Sequence, residues 1–591
     1  MLHLLSILAL TGIATASAAS AASTCKSYPN TPSWPSRAKW DSLNSTVSGR
    51  LIAAIPPAAS CHKKFKNTST YDPVKCELVA ANWGEQDSSY VFPCNSSKCH
   101  IVNSKGLHPV VRFNHPVGVL WDFWTNITCL PTTNPDERCS LGTYPEYVIN
   151  ATTVEDVQAG VNFARLNNVR LVIKNTGHDF MGKSTGAGSL SIWTHHFKEI
   201  GIIDSYSDPS TTYNGSAVTL GSGWQTASIY NALDAVGKVI VGGECAGVGF
   251  SGGYIQGGGH GPLSPLHGMA VDNVLQFKLV TADGLYKTAD AHNNSDLFWA
   301  LRGGGGSSWG VVISVTVKTF PTPMVSGAVI ELHYDQTTPE IFWEGINIFH
   351  SFAPQYAEAG IYGYYEVNAN SFLLKPLLAT GKTTSELTEI LSPLFTSFDA
   401  LGVPYTANIT TYPTFLSGYN SLFDGEAAGL NMFTSSRLIL HNHVVTNHTA
   451  VTQAFRLTTE AGLGIIGHLV APGQFGGVLE ETSVNPIWKT GLLLPLYNRF
   501  WLGNETDSDF WEGLDLIANV DAAFKEVSPG SGTYVNEANA YDPDWLKEYY
   551  GASYERLLRI KKEVDPRGVF YARTAVGSEL WAEVNGRLCR T

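Results

Sequence analysis

The chain has 591 residues, of which 44% are hydrophobic and 15% are charged. This length is sufficient for two or three domains that each bury a core. The 51 acidic residues outnumber the 38 basic ones, which gives a formal net charge of −13. Because nucleic acids and anionic membranes bind clustered positive charge, this balance argues against either as a partner.

Residues 1–23 have the pattern of a secretory signal peptide. An apolar run, Leu4 to Ile13, precedes small Ala and Ser residues, and cleavage is expected between Ala18 and Ser23. The run is too short to span a membrane, and no later stretch is apolar enough to do so. We therefore expect a secreted, soluble monomer.

Residues 24–140 form an extension rich in Cys and Pro. Seven of the nine cysteines lie between Cys25 and Cys139, and the others are Cys245 and Cys589. In an oxidising compartment eight cysteines can pair, which leaves one over. Cys245 stands far from the rest in a glycine-rich loop, so we expect it to be that one. The spacing lacks paired CxxC units, and no metal site is expected.

Asn-x-Ser/Thr sequons occur throughout the chain. Single sequons arise by chance, but ten suit a secreted protein that carries N-glycans. They begin at Asn44, Asn67, Asn95, Asn126, Asn150, Asn214, Asn293, Asn408, Asn447 and Asn504.

Regular structure is first predicted after residue 141. Glu146–Asn150 is typical of a strand, and Thr152 and Glu155 have the spacing of a capping box for a following helix. That helix is expected to end at Asn168, before the nearly continuous apolar strand Val169–Ile173. A strand–helix–strand unit predicts a buried sheet that is at least partly parallel.

The next segment, "NTGHDFMGKST", matches the nucleotide-triphosphate motif GxxxxGK(S/T) from Gly177 to Ser184. Such a loop needs a helix to begin at its Lys-Ser, since the helix N-terminus holds the phosphate. Here Gly186 and Gly188 follow, and each disfavours a helix by about 1 kcal/mol relative to Ala. Residues 190–193 are typical of a strand, so an NTPase is not expected.

A second apparent motif, GxGxxG, runs from Gly247 to Gly252. In dinucleotide-binding proteins this fingerprint opens a helix. Here it continues into "GYIQGGGHGPLS", in which we expect no helix, so this interpretation is also rejected.

Four glycine-rich loops remain, and all lie between predicted strands. Glycines at this density allow positive φ and leave backbone N–H groups unobstructed, which suits an anionic diphosphate ligand. A large phosphate-bearing cofactor is therefore favoured over ordinary loop glycines. The loops contain Gly177 with Gly182, Gly242 with Gly243, Gly257 to Gly261, and Gly303 to Gly306.

Pro321 to Pro323 punctuates the chain and marks the exit from a first domain at residues 141–325. Residues 326–525 mix strand runs such as "GIYGYYEV" with helices and predict a second α+β domain. The segment 526–591 contains a helix predicted from about Trp545 to Val564.

Three segments carry a resemblance to a known family: "RLVIKNTGHDFMGKSTGAGSLSIWT", "GGECAGVGFSGGYIQGGGHGPLSPLHGMAVDNV" and "LFWALRGGGGSSWGVV". They resemble the FAD domain of the vanillyl-alcohol oxidase / p-cresol methylhydroxylase superfamily, and most of all the berberine-bridge-enzyme-like oxidases of fungi. The end, "YVNEANAYDPDWLKEYYGASYERLLRIKKEVDPRGVF", is similar to the closing segment of that subfamily. The resemblance covers about residues 141–325 and 530–580.

The resemblance implies an α+β, two-domain flavoprotein oxidase fold. A discontinuous FAD domain (141–325 and 526–591) would flank a substrate domain (326–525) that has an antiparallel sheet and helices. It also implies FAD joined covalently to His178, and to Cys245 in a C-x-x-V-G loop. That loop is one residue longer than the family pattern between Gly249 and Gly257. The other expected cofactor-binding residues are Asn175, Thr176, Gly177, Asp179, Phe180, Ser184, Gly243, Gly249, Gly257, Gly258, Gly259, Asn273, Val274, Gly310, Val312 and Asn536.

The catalytic base is left open among four candidates. They are Tyr364 and Tyr365 on a predicted strand of the middle domain, Tyr534 near Asn536, and His260 in a glycine loop. Each tyrosine could equally pack in the core, and His260 could only shape the site.

By resemblance the favoured function is an FAD oxidase of an alcohol, sugar or phenolic substrate that uses dioxygen and forms hydrogen peroxide. A flavin dehydrogenase with another acceptor shares every motif, and a secreted binding protein that has lost catalysis is a third alternative. The sequence does not name the substrate, which could be a small molecule or an oligomer.

Overall fold

The computed structural model describes residues 25–83, 115–207, 213–423, 432–472, 480–500, 507–584 and 586–591. The predicted signal peptide, Cys94, Cys99, and the sequons at Asn95 and Asn504 lie outside the described residues. Within the described ranges, no helix is both long and apolar enough to cross a bilayer.

The predicted strand–helix–strand unit is present and belongs to a four-stranded sheet. Its two strands, Tyr147–Asn150 and Arg170–Lys174, both pair in parallel with Ser189–Trp193, which lies between them. The edge strand Leu51–Ala53 is antiparallel to Tyr147–Asn150. The prediction of a partly parallel sheet is therefore confirmed.

The connecting helix is Val154–Asn167, and its cap differs from the prediction. Thr153, not Thr152, is the N-cap residue, because its backbone is still extended and the helix begins one residue later. Its hydroxyl accepts from the Asp156 N–H at 3.3 Å, and Asp156 accepts from the Thr153 N–H at 3.1 Å. The predicted pair of Thr152 and Glu155 is therefore wrong by one residue.

A five-stranded antiparallel sheet follows, and the loops at the ends of its strands carry most of the glycine motifs. The strands lie in the order Tyr286–Ala289, Val274–Val280, Val311–Lys318, Asn214–Gly221 and Ile200–Ser207. The short helices Thr226–Asp234, Ser264–His267 and Ser295–Leu301 lie in the connections.

The middle of the chain forms an eight-stranded antiparallel sheet. Its main path runs Tyr405–Tyr412, Val325–Leu332, Ser371–Thr380, Ile361–Asn368, Gly464–Leu469, Gly491–Phe500 and Met432–Ser436, and Ile439–Leu440 pairs with Gly491–Phe500. The predicted α+β class, with an antiparallel sheet and helices, is confirmed.

Long helices pack together and cover one face of this sheet. Pro339–Glu358 is typical: Thr338 caps it through the Ile341 N–H, Pro339 suits its first turn, and its apolar side chains enter a buried cluster. Its neighbours are Thr384–Leu401, His441–Glu460 and, next to the latter, Asp507–Val527. The opposite face of the sheet contributes to a second cluster shared with the glycine-rich loops.

Shorter elements complete the chain. They are the helices Arg37–Thr46, Pro73–Ala81 and Phe415–Leu422, and three two-stranded sheets: Lys64–Phe65 with Thr68–Ser69, Lys238–Val239 with Phe320–Pro321, and Trp581–Val584 with Arg587–Arg590.

The single helix predicted from Trp545 to Val564 is instead two helices, Trp545–Tyr550 and Tyr554–Val564. Gly551 separates them with a φ of +51°, which a continuing helix cannot adopt. The prediction failed because the apolar pattern continues across the break, and a single glycine within such a pattern does not by itself end a helix.

Three disulfides join six of the seven described cysteines: Cys25–Cys589, Cys61–Cys76 and Cys129–Cys139. The first ties the two ends of the described chain together. Cys245 is half-buried and belongs to none of them, in agreement with its prediction as the odd cysteine.

Candidate active site

An open pocket with about 1210 Å³ of empty space lies among the glycine-rich loops. Its walls come from residues 173–184, 243–260, 306–312 and 534–537, with Thr194 and Ser222. Residues 534–537 belong to the C-terminal part of the chain, so the pocket joins residues that are hundreds of positions apart in the sequence.

Most of the predicted cofactor-binding residues line this pocket. They are Asn175, Thr176, Gly177, His178, Asp179, Phe180, Ser184, Gly243, Cys245, Gly249, Gly310, Val312 and Asn536. Five others are not among the residues that line the pocket, although the first three belong to the glycine loop that forms one wall: Gly257, Gly258, Gly259, Asn273 and Val274. Of these, Asn273 binds the carbonyls of His267 and Met269, so it holds a loop in place and does not face the pocket.

The loop that follows strand Arg170–Lys174 is fixed by its own side chains. Asp179 accepts from the N–H groups of Met181 at 3.0 Å and Ser184 at 2.8 Å, which closes a tight turn. Gly177 has a φ of +79°, and a Cβ there would lie 2.5 Å from the Gly118 carbonyl oxygen. No helix begins at Lys183, so the rejection of a triphosphate loop is confirmed.

His178 lies in this loop and is partly buried at the pocket wall. Burial lowers its pKa to about 4, so its imidazole is neutral near pH 7. A neutral imidazole retains the nitrogen lone pair that is needed to bond to carbon. Phe180, two residues on, stacks on Trp121 of the N-terminal extension with ring centroids 4.8 Å apart. The extension therefore supports the cofactor loop.

The loop that contains Cys245 continues into short, irregular helical turns. Phe250–Tyr254 makes a π-type turn that is interrupted at Gly252, whose backbone is not helical (φ −85°, ψ −135°), and a short α-turn follows at Ile255–Gly257. The expectation of no helix after Gly252 is therefore wrong. Cys245 still faces the pocket.

Several buried polar atoms on the pocket wall make no hydrogen bond to any residue that the structure describes. They are Ser222 Oγ, Ser251 Oγ, Gln256 Oε1 and His260 Nδ1. Buried polar groups are normally paired. Their convergence on one pocket indicates a ligand that is rich in hydrogen-bonding groups.

His260 sits at the other wall, between aromatic rings. Its Nε2 lies 3.2 Å from Glu537 Oε2, and His468 and Tyr534 pack against it with ring centroids 5.2 Å away. Burial lowers the pKa of His260, but the charge and hydrogen bond of Glu537 and the charge of Glu244 outweigh it. The net effect is a raised pKa.

Tyr534 also lines the pocket, but its hydroxyl is fully engaged by protein groups. It accepts from the Gly259 N–H at 3.1 Å and from Asn536 Nδ2 at 2.8 Å, and it donates to the Tyr254 carbonyl at 3.3 Å. Burial raises its pKa far above the ordinary value. These bonds tie the glycine loop to the C-terminal segment.

The structure does not bring Tyr364 or Tyr365 to the pocket wall. Tyr364 stacks edge-on against His468 at 5.2 Å, one layer behind His260. Tyr365 points to the opposite face of the sheet, where it packs among Phe349 and Phe455 in the helix-covered core. Alternate residues of a strand face opposite ways, which separates the two tyrosines.

Two carboxylates that sequence reasoning missed belong to the site. Glu537 holds His260, and Glu244, next to Cys245, accepts a hydrogen bond from the Tyr362 hydroxyl. The Tyr419 hydroxyl donates to the Glu244 carbonyl at 2.5 Å. In the sequence, Glu244 is next to Cys245 and Glu537 is next to Asn536, and both neighbours were already predicted to bind the cofactor. This adjacency was the signal that could have identified the two carboxylates.

Comparison with known proteins agrees with this geometry. Residues 145–290 match the family model described as "FAD binding domain", and residues 533–577 match "Berberine and berberine like". An FAD-linked oxidoreductase, patO, from Aspergillus clavatus is 36% identical over 94% of this chain and 92% of that protein. The FAD-linked oxidoreductase ZEB1 from Gibberella zeae is 37% identical over 94% and 93%.

A solved structure extends the comparison to the fold. The VAO-type flavoprotein MtVAO615 from Myceliophthora thermophila superimposes with a TM-score of 0.88 at 34% identity, over 96% of this chain and 100% of that one. The chain thus belongs to the VAO-type, berberine-bridge-enzyme-like family of FAD-linked oxidoreductases, and it is an FAD-dependent oxidoreductase.

Proposed function

We propose that this protein is a secreted, N-glycosylated oxidase. It takes hydride from a carbon of an alcohol, sugar or phenolic substrate to flavin N5 and reduces dioxygen to hydrogen peroxide. The observation that carries the proposal is the pocket itself, which brings His178, Cys245 and the His260–Glu537 pair together.

The residues on the pocket wall fit FAD. The hydroxyls of Ser222 and Ser251 and the side-chain amide oxygen of Gln256 (Oε1) are buried without a hydrogen-bond partner among the described residues, and they suit the ribityl and diphosphate groups. The tight backbone turn at Gly177 leaves N–H groups unobstructed for the diphosphate. Bound FAD supplies the hydride acceptor and the route of electrons to dioxygen.

His178 and Cys245 are the proposed attachment residues. The neutral imidazole of His178 can form a C–N bond, and Cys245 lies in the same pocket outside the disulfides. Cys245 lines the pocket although its loop is one residue longer than the family pattern, and this position supports the second attachment.

His260 is the proposed proton acceptor. When Nε2–H donates to Glu537, the tautomer is fixed and the Nδ1 lone pair remains available. Nδ1 makes no hydrogen bond to a described residue. The raised pKa makes His260 a stronger base, which supports proton removal from a substrate hydroxyl. Tyr534, whose hydroxyl bonds are all used, is given a positioning role.

We also propose the predicted domain division, with the FAD domain at 141–325 and 526–591. Contacts between its two parts support it: Lys561 Nζ donates to the Ser308 carbonyl at 2.7 Å, and Leu171 pairs with Phe570. In a flavin-free protein, obtained by replacing both proposed attachment residues (His178→Ala with Cys245→Ala), amide exchange should be faster in both parts together. Faster exchange only in 326–525 would contradict the division.

The test is a peroxide assay on the purified holoenzyme with a panel of sugars, alcohols and phenolics. An oxidase forms about one hydrogen peroxide per substrate oxidised, and an artificial acceptor is not needed. Turnover that appears only with the artificial acceptor would identify a dehydrogenase instead. An enzyme that lacks a flavin spectrum would favour a protein that has lost catalysis.

A further inference from the structure

A second pocket, with about 700 Å³ of empty space, lies beside the loop that carries His178. Its walls come from residues 123–126 of the N-terminal extension, residues 182–187 of the loop, and the C-terminal residues Tyr541 and 571–573. Lys183 lines both this pocket and the proposed flavin pocket. The second pocket has no part in the reaction proposed above.

Its charge is positive. Arg170, Lys183 and Arg573 line it, and Glu583 is the one acidic residue among the lining residues. Glu583 is already used, since it pairs with Arg170 Nη2 at 3.0 Å. Lys183 and Arg573 have no carboxylate partner among the residues that line this pocket, and the only described acidic group that acts on Lys183 is Asp179, on the side of the flavin pocket. The positive lining favours an anionic occupant.

Lys183 points to the same conclusion through burial. It is 7% exposed, and its Nζ makes no hydrogen bond to any part of the chain that the structure describes. A buried cation without a hydrogen-bonding partner is costly, so such groups are normally paired. A bound anion would supply the missing acceptors.

The remaining walls are aromatic and are held in place. Trp124 and Tyr541 are nearly parallel at 11°, with centroids 6.4 Å apart, and the Arg573 guanidinium carbon lies 5.5 Å and 5.3 Å from the two rings. Trp124 Nε1 donates to the Phe180 carbonyl at 3.0 Å, which fixes the indole. Flat faces of this kind favour a planar ligand.

We propose that this second pocket binds a small aromatic carboxylate, with the carboxylate at Arg573 and Lys183 and the ring against Trp124 and Tyr541. Arginine binds carboxylates through two parallel N–H donors, and the aromatic walls discriminate against anions that lack a ring. Because Lys183 also belongs to the loop that carries His178, the ligand contacts that loop.

The test is a titration of the holoprotein with benzoate, followed by calorimetry and by Trp fluorescence. We expect saturable binding that weakens about tenfold or more in Arg573→Gln, since a charge-assisted bidentate pair is lost. The matched control is Arg556→Gln: Arg556 also stacks on a tryptophan, Trp299 at 4.0 Å, but lies outside the pocket. Its variant should bind benzoate like the wild type.

Two further ligands separate the sources of affinity. Inorganic phosphate and cyclohexanecarboxylate should each bind more weakly than benzoate, because neither offers a planar ring. Binding of phosphate as tight as that of benzoate would overturn the aromatic assignment. Unchanged benzoate affinity in Arg573→Gln would overturn the site, since it would place the ligand in the flavin pocket.

If Arg573→Gln does not retain flavin and a wild-type melting temperature, Arg573→Lys takes its place. Lysine keeps the charge but loses the fork, so benzoate binding should still weaken. Wild-type affinity in a folded Arg573→Lys variant contradicts the proposal, as does the absence of saturable binding in the wild type.

Discussion

Two histidines line the same pocket, and their surroundings shift their pKa values in opposite directions. His178 is enclosed by the cofactor loop, and burial lowers its pKa to about 4. His260 is the more deeply buried of the two, at 3% exposed, yet Glu537 at 3.2 Å and the charge of Glu244 raise its pKa. Burial is common to both, so the carboxylates make the difference.

The contrast separates two kinds of chemistry in one cavity. A histidine that stays neutral over the physiological range suits a permanent bond to carbon, whereas one paired with a carboxylate suits proton transfer. Changes at the two walls should therefore alter different observables: attachment at the His178 wall, and rate and pH dependence at the His260 wall.

The largest effect is expected at His260. His260→Gln keeps a neutral side chain that can bond to Glu537 but cannot accept a proton near pH 7. We expect kcat to fall about 10²- to 10⁴-fold, with the flavin absorbance unchanged. Steady-state peroxide formation measures this, and His333→Gln, half-buried and outside the pocket, is the control. A kcat within twofold of wild type would remove His260 from the mechanism.

A smaller effect is expected from Glu537→Gln. The amide removes the charge that raises the pKa of His260, so neutral His260 should persist to lower pH. The acid limb of kcat/KM should move to lower pH, while the plateau falls roughly tenfold because the base is weaker. Glu563→Gln, at an exposed helical position, should change neither. An acid limb that stays in place would show that Glu537 does not set the titration.

Tyr534 and Tyr365 offer a matched pair of hydroxyl deletions. Tyr534→Phe removes three hydrogen bonds that join the glycine loop to the C-terminal segment, and we expect a loss of about 1–3 kcal/mol in unfolding free energy. The Tyr365 hydroxyl bonds to no described residue, so Tyr365→Phe should change stability by less than about 0.5 kcal/mol. Urea unfolding and kcat measure both. If kcat fell more in Tyr365→Phe than in Tyr534→Phe, Tyr365 would again be a candidate for the catalytic base.

His350 extends the comparison to a histidine with burial and no carboxylate, outside the pocket. Burial lowers its pKa to about 3. Since the folded pKa lies below the unfolded value of about 6.5, its contribution to stability is present above pH 6.5 and is lost as pH falls towards 3. Urea unfolding between pH 6.5 and 4.5 should show a loss of up to about 1.4 kcal/mol per pH unit from this residue. His350→Gln should reduce that slope, and an unchanged slope would contradict the assignment.

The sequence predicted the cofactor wall better than the acid–base wall, and the reason is physical. The His178 and Cys245 loops are short runs in which glycines, the attachment residue and the turn all lie within about a dozen residues, so local patterns suffice. The His260–Glu537 contact joins positions 277 residues apart. Such a contact depends on how the C-terminal segment packs, which no local pattern contains.

The errors have similar causes. Tyr364 and Tyr365 were correctly predicted to lie on a strand, but which of its faces meets the pocket depends on the sheet's packing. Tyr365 faces the helices, and Tyr364 packs against His468 and does not reach the pocket. The π-type turn at Phe250–Tyr254 was missed because a glycine-rich sequence disfavours a helix locally. Here the side chains of Tyr254 and Gln256 hold the turn in place, since they donate hydrogen bonds to the carbonyls of His260 and Ser251.

The most direct test of the account is peptide mass spectrometry of acid-precipitated, protease-digested wild-type protein. The account predicts that the precipitate stays yellow and that one flavin links the peptides containing His178 and Cys245. In Cys245→Ser the flavin should remain on His178 alone, with a changed visible spectrum. Release of all flavin into the supernatant, with unmodified His178 and Cys245 peptides, would contradict it.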